Sequence, residues 1–228
     1  MTGVKTDNQL SKRNKPLRDD VRSLGFMLGE TIARLEGEET FKLVEEIRSL
    51  SKSLHRPGES KQSDIDESQR KLAELTAKVD LETARKLIKA FLIYFDLINM
   101  AEQNHRLRRR AQKEYDTIDS FQRGSLEALF KKIDVDELQA EDLHKTIANL
   151  DIQVVFTAHP TEITRRTVLV KQLEMARQLY LKDHPPLTYK ERQQIDQTLK
   201  SVVESLWLSD HIIYFKPDVL DEVKYGLY

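Results

Sequence analysis

The chain has 228 residues, 39% of them hydrophobic and 33% charged, with 37 Lys and Arg against 38 Asp and Glu. That balance suits a helix-rich, soluble globular protein with enough apolar surface for a core, and a net charge of −1 supplies no general attraction to nucleic acid or to an acidic partner. With no cysteine, disulfides, thiolate nucleophiles and Cys-based zinc sites are excluded, and a reducing cytoplasm is the plain expectation.

In chain order, the polar N-terminus lacks the apolar segment of a secretory signal, and residues 1–16 are expected to form a mobile tail. From Asp19, apolar residues at Val21, Leu24, Leu28, Ile32 and Leu35 recur at steps of three and four, which predicts an amphipathic helix ended by Gly37. Leu43, Ile47, Leu50 and Leu54 predict a second helix. His55 to Ser60, with Pro57 and Gly58, is a loop, and Ile65, Leu72, Leu75 and Val79 mark a third helix. Asp80 is placed to cap a fourth, long helix. From Leu87 to Met100 this helix is apolar on nearly every side, so it is expected to run through the middle of a helical layer. Its most apolar stretch, Ala90 to Ala101, is interrupted by Asp96 and Asn99 and falls short of the ~20 residues a membrane span needs.

Shorter helices are expected around Leu126 to Ile133 and Glu137 to Ala148. A run of β-formers, Ile152, Val154, Val155 and Phe156, then predicts one strand at about 152–157. A further helix carries Ile163, Arg166, Leu169, Leu173, Ala176 and Tyr180. Pro185-Pro186 marks a loop, Thr188 with Glu191 forms a capping box for the next helix, and a last helix begins near Asp218 or Asp221. One strand among so many helices leaves backbone donors and acceptors without partners. The expectation is therefore a piece of a larger α/β protein.

The chemistry concentrates in Val154 to Arg166, VVFTAHPTEITRR, where the strand meets a helix start. Such junctions hold reacting side chains rigidly, and a helix N-terminus favours anions. His159 is the first candidate. A His before Pro is commonly a turn or a packed residue, but Pro160 restricts it to extended geometry, and an imidazole with a pKa near ~6.5 exchanges protons at neutral pH. Arg165 and Arg166 are either surface charges or an anion site. Side chains adjacent on a helix diverge by ~100°, so at most one of the pair is expected to face His159. Glu162 either orients His159, pairs with an arginine, or complements the helix dipole. The basic run His105 to Arg110 lacks interleaved aromatics and is read as a helix end complementing its dipole rather than as a nucleic-acid patch. His55, His144, His184 and His211 are expected in solvent. No His, Asp or Glu set has metal-ligand spacing, so no metal site is assigned within this chain.

Phe156 to Arg166, FTAHPTEITRR, resembles the first active-site signature of phosphoenolpyruvate carboxylase in its bacterial form. Ala90 to Arg110, Leu17 to Gly25, Leu206-Trp207 and Asp221 to Tyr228 also resemble that family, so the likeness covers nearly the whole chain. The resemblance implies an enzyme that joins phosphoenolpyruvate and bicarbonate into oxaloacetate and phosphate with Mg²⁺ or Mn²⁺, through carboxyphosphate and the pyruvate enolate. It implies a mainly α fold, with this chain the helical N-terminal portion of a larger α/β-barrel enzyme. Residues 17–150 would form the N-terminal helical region and 151–228 the start of the barrel, with one barrel strand at about 152–157. A homotetramer, a dimer of dimers, is implied, with neither nucleic acid nor membrane as partner. His159 would handle protons or stabilise carboxyphosphate, and Arg165 and Arg166 would lie near a subunit contact or an anion. The family's glycine-rich loop, metal carboxylates and phosphate-binding Lys and Arg have no counterpart in this sequence. The chain is thus expected to need the rest of the full-length enzyme. The alternative is a truncated, inactive helical binding or assembly module.

Overall fold

The computed structural model describes residues 13–54, 62–116, 124–132, 139–153, 155, 164–184, 187–212, 214 and 216–227. Among these residues there are nine helices: α1 Lys15–Glu36, α2 Glu38–Leu54, α3 Gln62–Ala77, α4 Leu81–Asp116, α5 Leu126–Phe130, α6 Ala140–Ala148, α7 Arg166–Lys182, α8 Tyr189–Trp207 and α9 Val219–Gly226. The mainly helical fold expected from the apolar spacing is what forms.

The helix boundaries follow local chemistry. Lys15 and Pro16, expected in the tail, instead open α1, because a proline in the first turn has its φ already set for a helix and needs no N–H there. Gly37 ends α1 with φ of 92°, a conformation that side-chain-bearing residues avoid. Asp80 caps α4 by accepting from the Thr83 backbone N–H at 2.9 Å and the Thr83 hydroxyl at 2.8 Å. Those two bonds hold its carboxyl below the usual carboxylate range. The capping box of α8 is reciprocal: Glu191 N–H donates to Thr188 Oγ1 at 3.3 Å, and Thr188 N–H to Glu191 Oε2 at 2.7 Å. Asp218 and Asp221 do the same for α9.

Two compact units are present. The first comprises the described residues of Met1–Asn104 and Thr167–Asp210. Within it α1 packs on α2 and α8, and α2 packs on α3. Its core joins Leu24, Leu28 and Ile32 of α1 to Val44 and Ile47 of α2, Ile93 and Leu97 of α4, Met175 and Leu179 of α7, and Leu199 and Leu206 of α8. Gly29 makes the α1–α2 approach possible, since a Cβ there would stand 2.8 Å from the Phe41 ring. Helix α4, expected to run through the middle of a helical layer, is covered on one side among the described residues. Leu87, Ala90, Ile93, Leu97 and Met100 are buried, but Ile88, Leu92 and Phe95 face solvent, because the helices of this unit cover only one side of α4.

Polar groups tie the same helices together. Buried Asn104 on α4 donates to Asp183 Oδ2 at 2.7 Å and to the Leu179 carbonyl at 3.4 Å. Lys182 lies 3.8 Å from buried Asp20 on α1. At the other end of α1, Glu36 accepts from the Trp207 indole N–H at 3.0 Å and pairs with Lys86 at 3.0 Å. The Lys89 ammonium stands 5.4 Å from the Trp207 ring centroid, within cation–π range. Burial alone would raise the Glu36 carboxyl, but hydrogen bonds from Lys86 and Trp207, with the charges of Lys86 and Arg85, hold it below the usual Glu range. A carboxylate depressed in the folded state adds stability above its unfolded pKa and loses it as pH falls through the folded value. Glu36→Gln is therefore expected to lower stability at neutral pH and to make the acid limb of stability against pH shallower below the ordinary Glu range. Urea denaturation at a series of pH values measures both, and parallel acid limbs would remove Glu36 from the linkage.

The second unit comprises the described residues of His105–Arg166 and His211–Tyr228. Its helices α5, α6 and α9 bury none of their residues. Leu126, Leu129, Ile147, Leu150 and Leu220 are all exposed. The strand expected at about 152–157 does not form among the described residues. Ile152, Gln153 and Val155 are neither helical nor paired, and Ile152 and Val155 are exposed, while 154, 156 and 157 lie outside the described residues. A strand is held by its neighbours' hydrogen bonds, and none is available to this segment among the described residues.

Candidate active site

The residue on which the chemistry was expected to turn, His159, lies outside the described residues, as do Glu162 and the whole of 156–163. Asp151, Ile152 and Gln153 lead in without regular structure, and Thr164 and Arg165 lead out into α7.

The two arginines are not equivalent. Arg165 precedes the helix, and its Nη1 donates to the Ile212 carbonyl at 3.4 Å, which ties the outgoing flank to the segment before α9. Arg166 is the first residue of α7, and both side chains are exposed. Only one of the pair is therefore in the helix, so the divergence of neighbouring helical side chains does not apply to them as a pair, and the expectation that at most one faces His159 falls on residues outside those described. The first turn of α7 holds no acidic residue. A cation at the positive end of a helix opposes the macrodipole, and with the first backbone N–H groups it concentrates positive potential.

The basic run on α4 also reads differently in the structure. The helix continues to Asp116, so Arg106 to Arg110 are not its last turn, and the dipole argument loses force there. His105, placed in that run by sequence, is buried, with its Nδ1 3.4 Å from Arg108 Nη1. His144 and His184 are exposed as expected, His211 is half-buried, and His55 lies outside the described residues. Among the described residues no group of three or more His, Asp or Glu stands close enough to hold a metal ion, so they do not fit a metal centre. None of the described helices is long and apolar enough to cross a membrane.

A family model described as phosphoenolpyruvate carboxylase matches residues 17–228. The chain belongs to the phosphoenolpyruvate carboxylase family. The match begins within α1 and takes in every later helix, the TAHPTE segment and both arginines, so the likeness seen in separate sequence blocks is continuous. Among curated relatives, the phosphoenolpyruvate carboxylase of Acinetobacter baylyi is 37% identical over 211 residues, covering 92% of this chain and 23% of the relative. That of Alcanivorax borkumensis is 33% identical over 213 residues, covering 93% of this chain and 23% of the relative. That of Haemophilus influenzae strain PittEE is 33% identical over 217 residues, covering 95% and 23%. The chain thus spans about a quarter of the length of the curated phosphoenolpyruvate carboxylases it matches.

The periodicity reading missed the Glu36–Lys86–Trp207 cluster of this family member. Its signal was the lone Trp of the chain sitting at the end of a helix, since a buried indole N–H calls for an acceptor. The burial of His105 had a signal in spacing, since it continues the four-residue steps of Ile93, Leu97 and Ala101, but the arginines that follow it hid that signal.

Proposed function

We propose that this chain is an N-terminal piece of a bacterial-type carboxylase that converts phosphoenolpyruvate and bicarbonate to oxaloacetate and phosphate, replenishing the citric acid cycle. The single observation that carries the reading is the family match across 17–228, which includes the His159 segment. In that reading 17–150 is the helical N-terminal region and 151–228 opens the barrel, whose strand at about 152–157 gains its neighbours from the rest of the enzyme. The second unit supports this, because helices that bury none of their residues are not a finished core.

The chemistry assigned to this chain is proton handling. Phosphoryl transfer from phosphoenolpyruvate to bicarbonate leaves carboxyphosphate and an enolate. Carboxyphosphate then yields carbon dioxide and phosphate, and the enolate carbon attacks the carbon dioxide. His159 takes the proton of bicarbonate or donates a hydrogen bond to carboxyphosphate oxygens, and Arg165 and Arg166 add positive potential or a subunit contact. Mg²⁺ or Mn²⁺ supplies electrophilic stabilisation of the reacting anions when bound, through ligands in the part of the enzyme this chain does not cover. The full-length enzyme is a cytoplasmic homotetramer in this reading.

The 228-residue chain alone is expected to make no oxaloacetate. A malate dehydrogenase-coupled assay with phosphoenolpyruvate, bicarbonate and Mg²⁺ checks this: bicarbonate-dependent NADH oxidation above the no-protein rate contradicts it. One observation favours the alternative, a short helical assembly module. The first unit has a continuous core of its own, drawn from α1, α2, α4, α7 and α8. The reading frame past codon 228 separates the two: a stop codon supports the module, and continuing codons for a glycine-rich loop and metal carboxylates support the enzyme.

A further inference from the structure

Within the first unit α4 carries apolar side chains on two sides. Leu87, Ile93 and Leu97 point into the core, whereas Leu81 is 88% exposed, Ile88 69%, Leu92 45% and Phe95 59%. Steps of seven, four and three residues put these four on one stripe, about 21 Å long at 1.5 Å per residue. Arg85, which falls within the stripe, has its guanidinium engaged by Glu82 at 2.8 Å, one residue to the side. The stripe is thus a ready-made ridge for one more helix.

We propose that this stripe is the docking surface for a helix from the part of the full-length polypeptide that this chain does not cover. The proposal rests on the reading of the chain as a piece of the full-length carboxylase. Three observations choose that occupant. The curated relatives are about four times as long as the matched region, so most of the subunit's chain is still to be placed. The segment from Leu87 to Met100 is apolar on nearly every side, the pattern of a helix covered on both sides. The exposed stripe offers roughly 400–500 Å², about half of the ~800 Å² per partner that a stable association of two chains buries. It is therefore too small to hold a second copy and suits one helix of the same subunit, whose docking needs no separate association.

Because the chain has no cysteine, Ile88→Cys and, separately, Phe95→Cys each place a single thiol on the stripe. Each variant is made in the 228-residue chain and in the full-length enzyme, and maleimide labelling of the α4 peptide is followed by mass spectrometry. In the short chain both thiols are expected to react within about 10-fold of their rate in urea, and in the native full-length enzyme at least ~100-fold more slowly than in urea. Fast labelling of the native full-length enzyme overturns the proposal. So does slow labelling of the short chain, and a dimer in sedimentation would then name a second copy as the occupant. Oxaloacetate formation is measured on the wild-type full-length enzyme. Protection without activity keeps the docking surface and removes the carboxylation reading, while activity without protection does the reverse.

Discussion

In the full-length enzyme, His159→Asn is expected to lower the rate of oxaloacetate formation by at least ~10²-fold, the lower end of what a positioned acid–base group contributes. Asparagine keeps a similar bulk and a hydrogen-bonding edge but has no proton to exchange near neutral pH. The substitution therefore separates proton transfer from simple polar contact. If the imidazole acts as base toward bicarbonate, an acid limb in the wild-type pH profile that is lost in the variant is the expected result. The measurement is kcat and kcat/KM in the coupled assay across pH, with thermal midpoints for both proteins. A midpoint within a few degrees of wild type, with turnover collapsed, is the expected pair of results. Unaltered turnover would take His159 out of the mechanism. A collapse of both turnover and midpoint would make it a structural residue. The same experiment on Arg165→Gln and Arg166→Gln ranks the flanking charges, because only a side chain that meets the reacting anions moves KM for phosphoenolpyruvate.

The second large effect is on stability, in the 228-residue chain itself. Ile93→Ala is expected to destabilise by about 3 kcal/mol, since Ile93 is 0% exposed and its removal leaves a cavity that the surrounding helices fill only in part. Phe95→Ala, two residues away and the larger truncation, is expected to cost less than ~1 kcal/mol, because its ring is largely in water in this chain. Urea unfolding of the two variants gives the contrast directly. In thermal terms the Ile93 change lowers the midpoint by roughly 6–12 °C for a chain of this size. Equal losses at the two sites would mean that the exposed side of α4 is covered within the short chain. In the full-length enzyme the gap between the two variants is expected to narrow, as the stripe around Phe95 becomes buried.

Those two residues also locate the limit of a periodicity argument. Ile93 and Phe95 are both apolar, on one helix, in a stretch with apolar residues all round. Hydrophobic spacing says that each belongs against something, but it does not say whether the partner is in the same 228 residues. The buried His105 makes the opposite case. It opens the basic run read as a helix end complementing its dipole, yet at 5% exposure it is shut in on the same face of α4 as Ile93, Leu97 and Ala101. The Trp207–Glu36 bond joins residues 171 positions apart, and no local pattern links a helix C-terminus to a tryptophan so distant.

Helix starts and stops were legible because they are made of near neighbours. Asp80, Thr188 and Asp218 each cap through a residue three positions on, and Gly37 stops α1 by its own backbone conformation. Family membership was legible for a related reason: TAHPTE and the blocks around it are contiguous strings, each readable without knowing what packs on it. Spatial assembly set the rest: which side of α4 is wet, that Arg165 falls outside α7 while Arg166 opens it, and that Ile152 and Val155 stay unpaired. Each of these depends on contacts between segments far apart in the chain, or on neighbours that a strand must borrow. Short-range hydrogen bonds are encoded where they act, whereas burial is a property of whatever arrives to exclude the water.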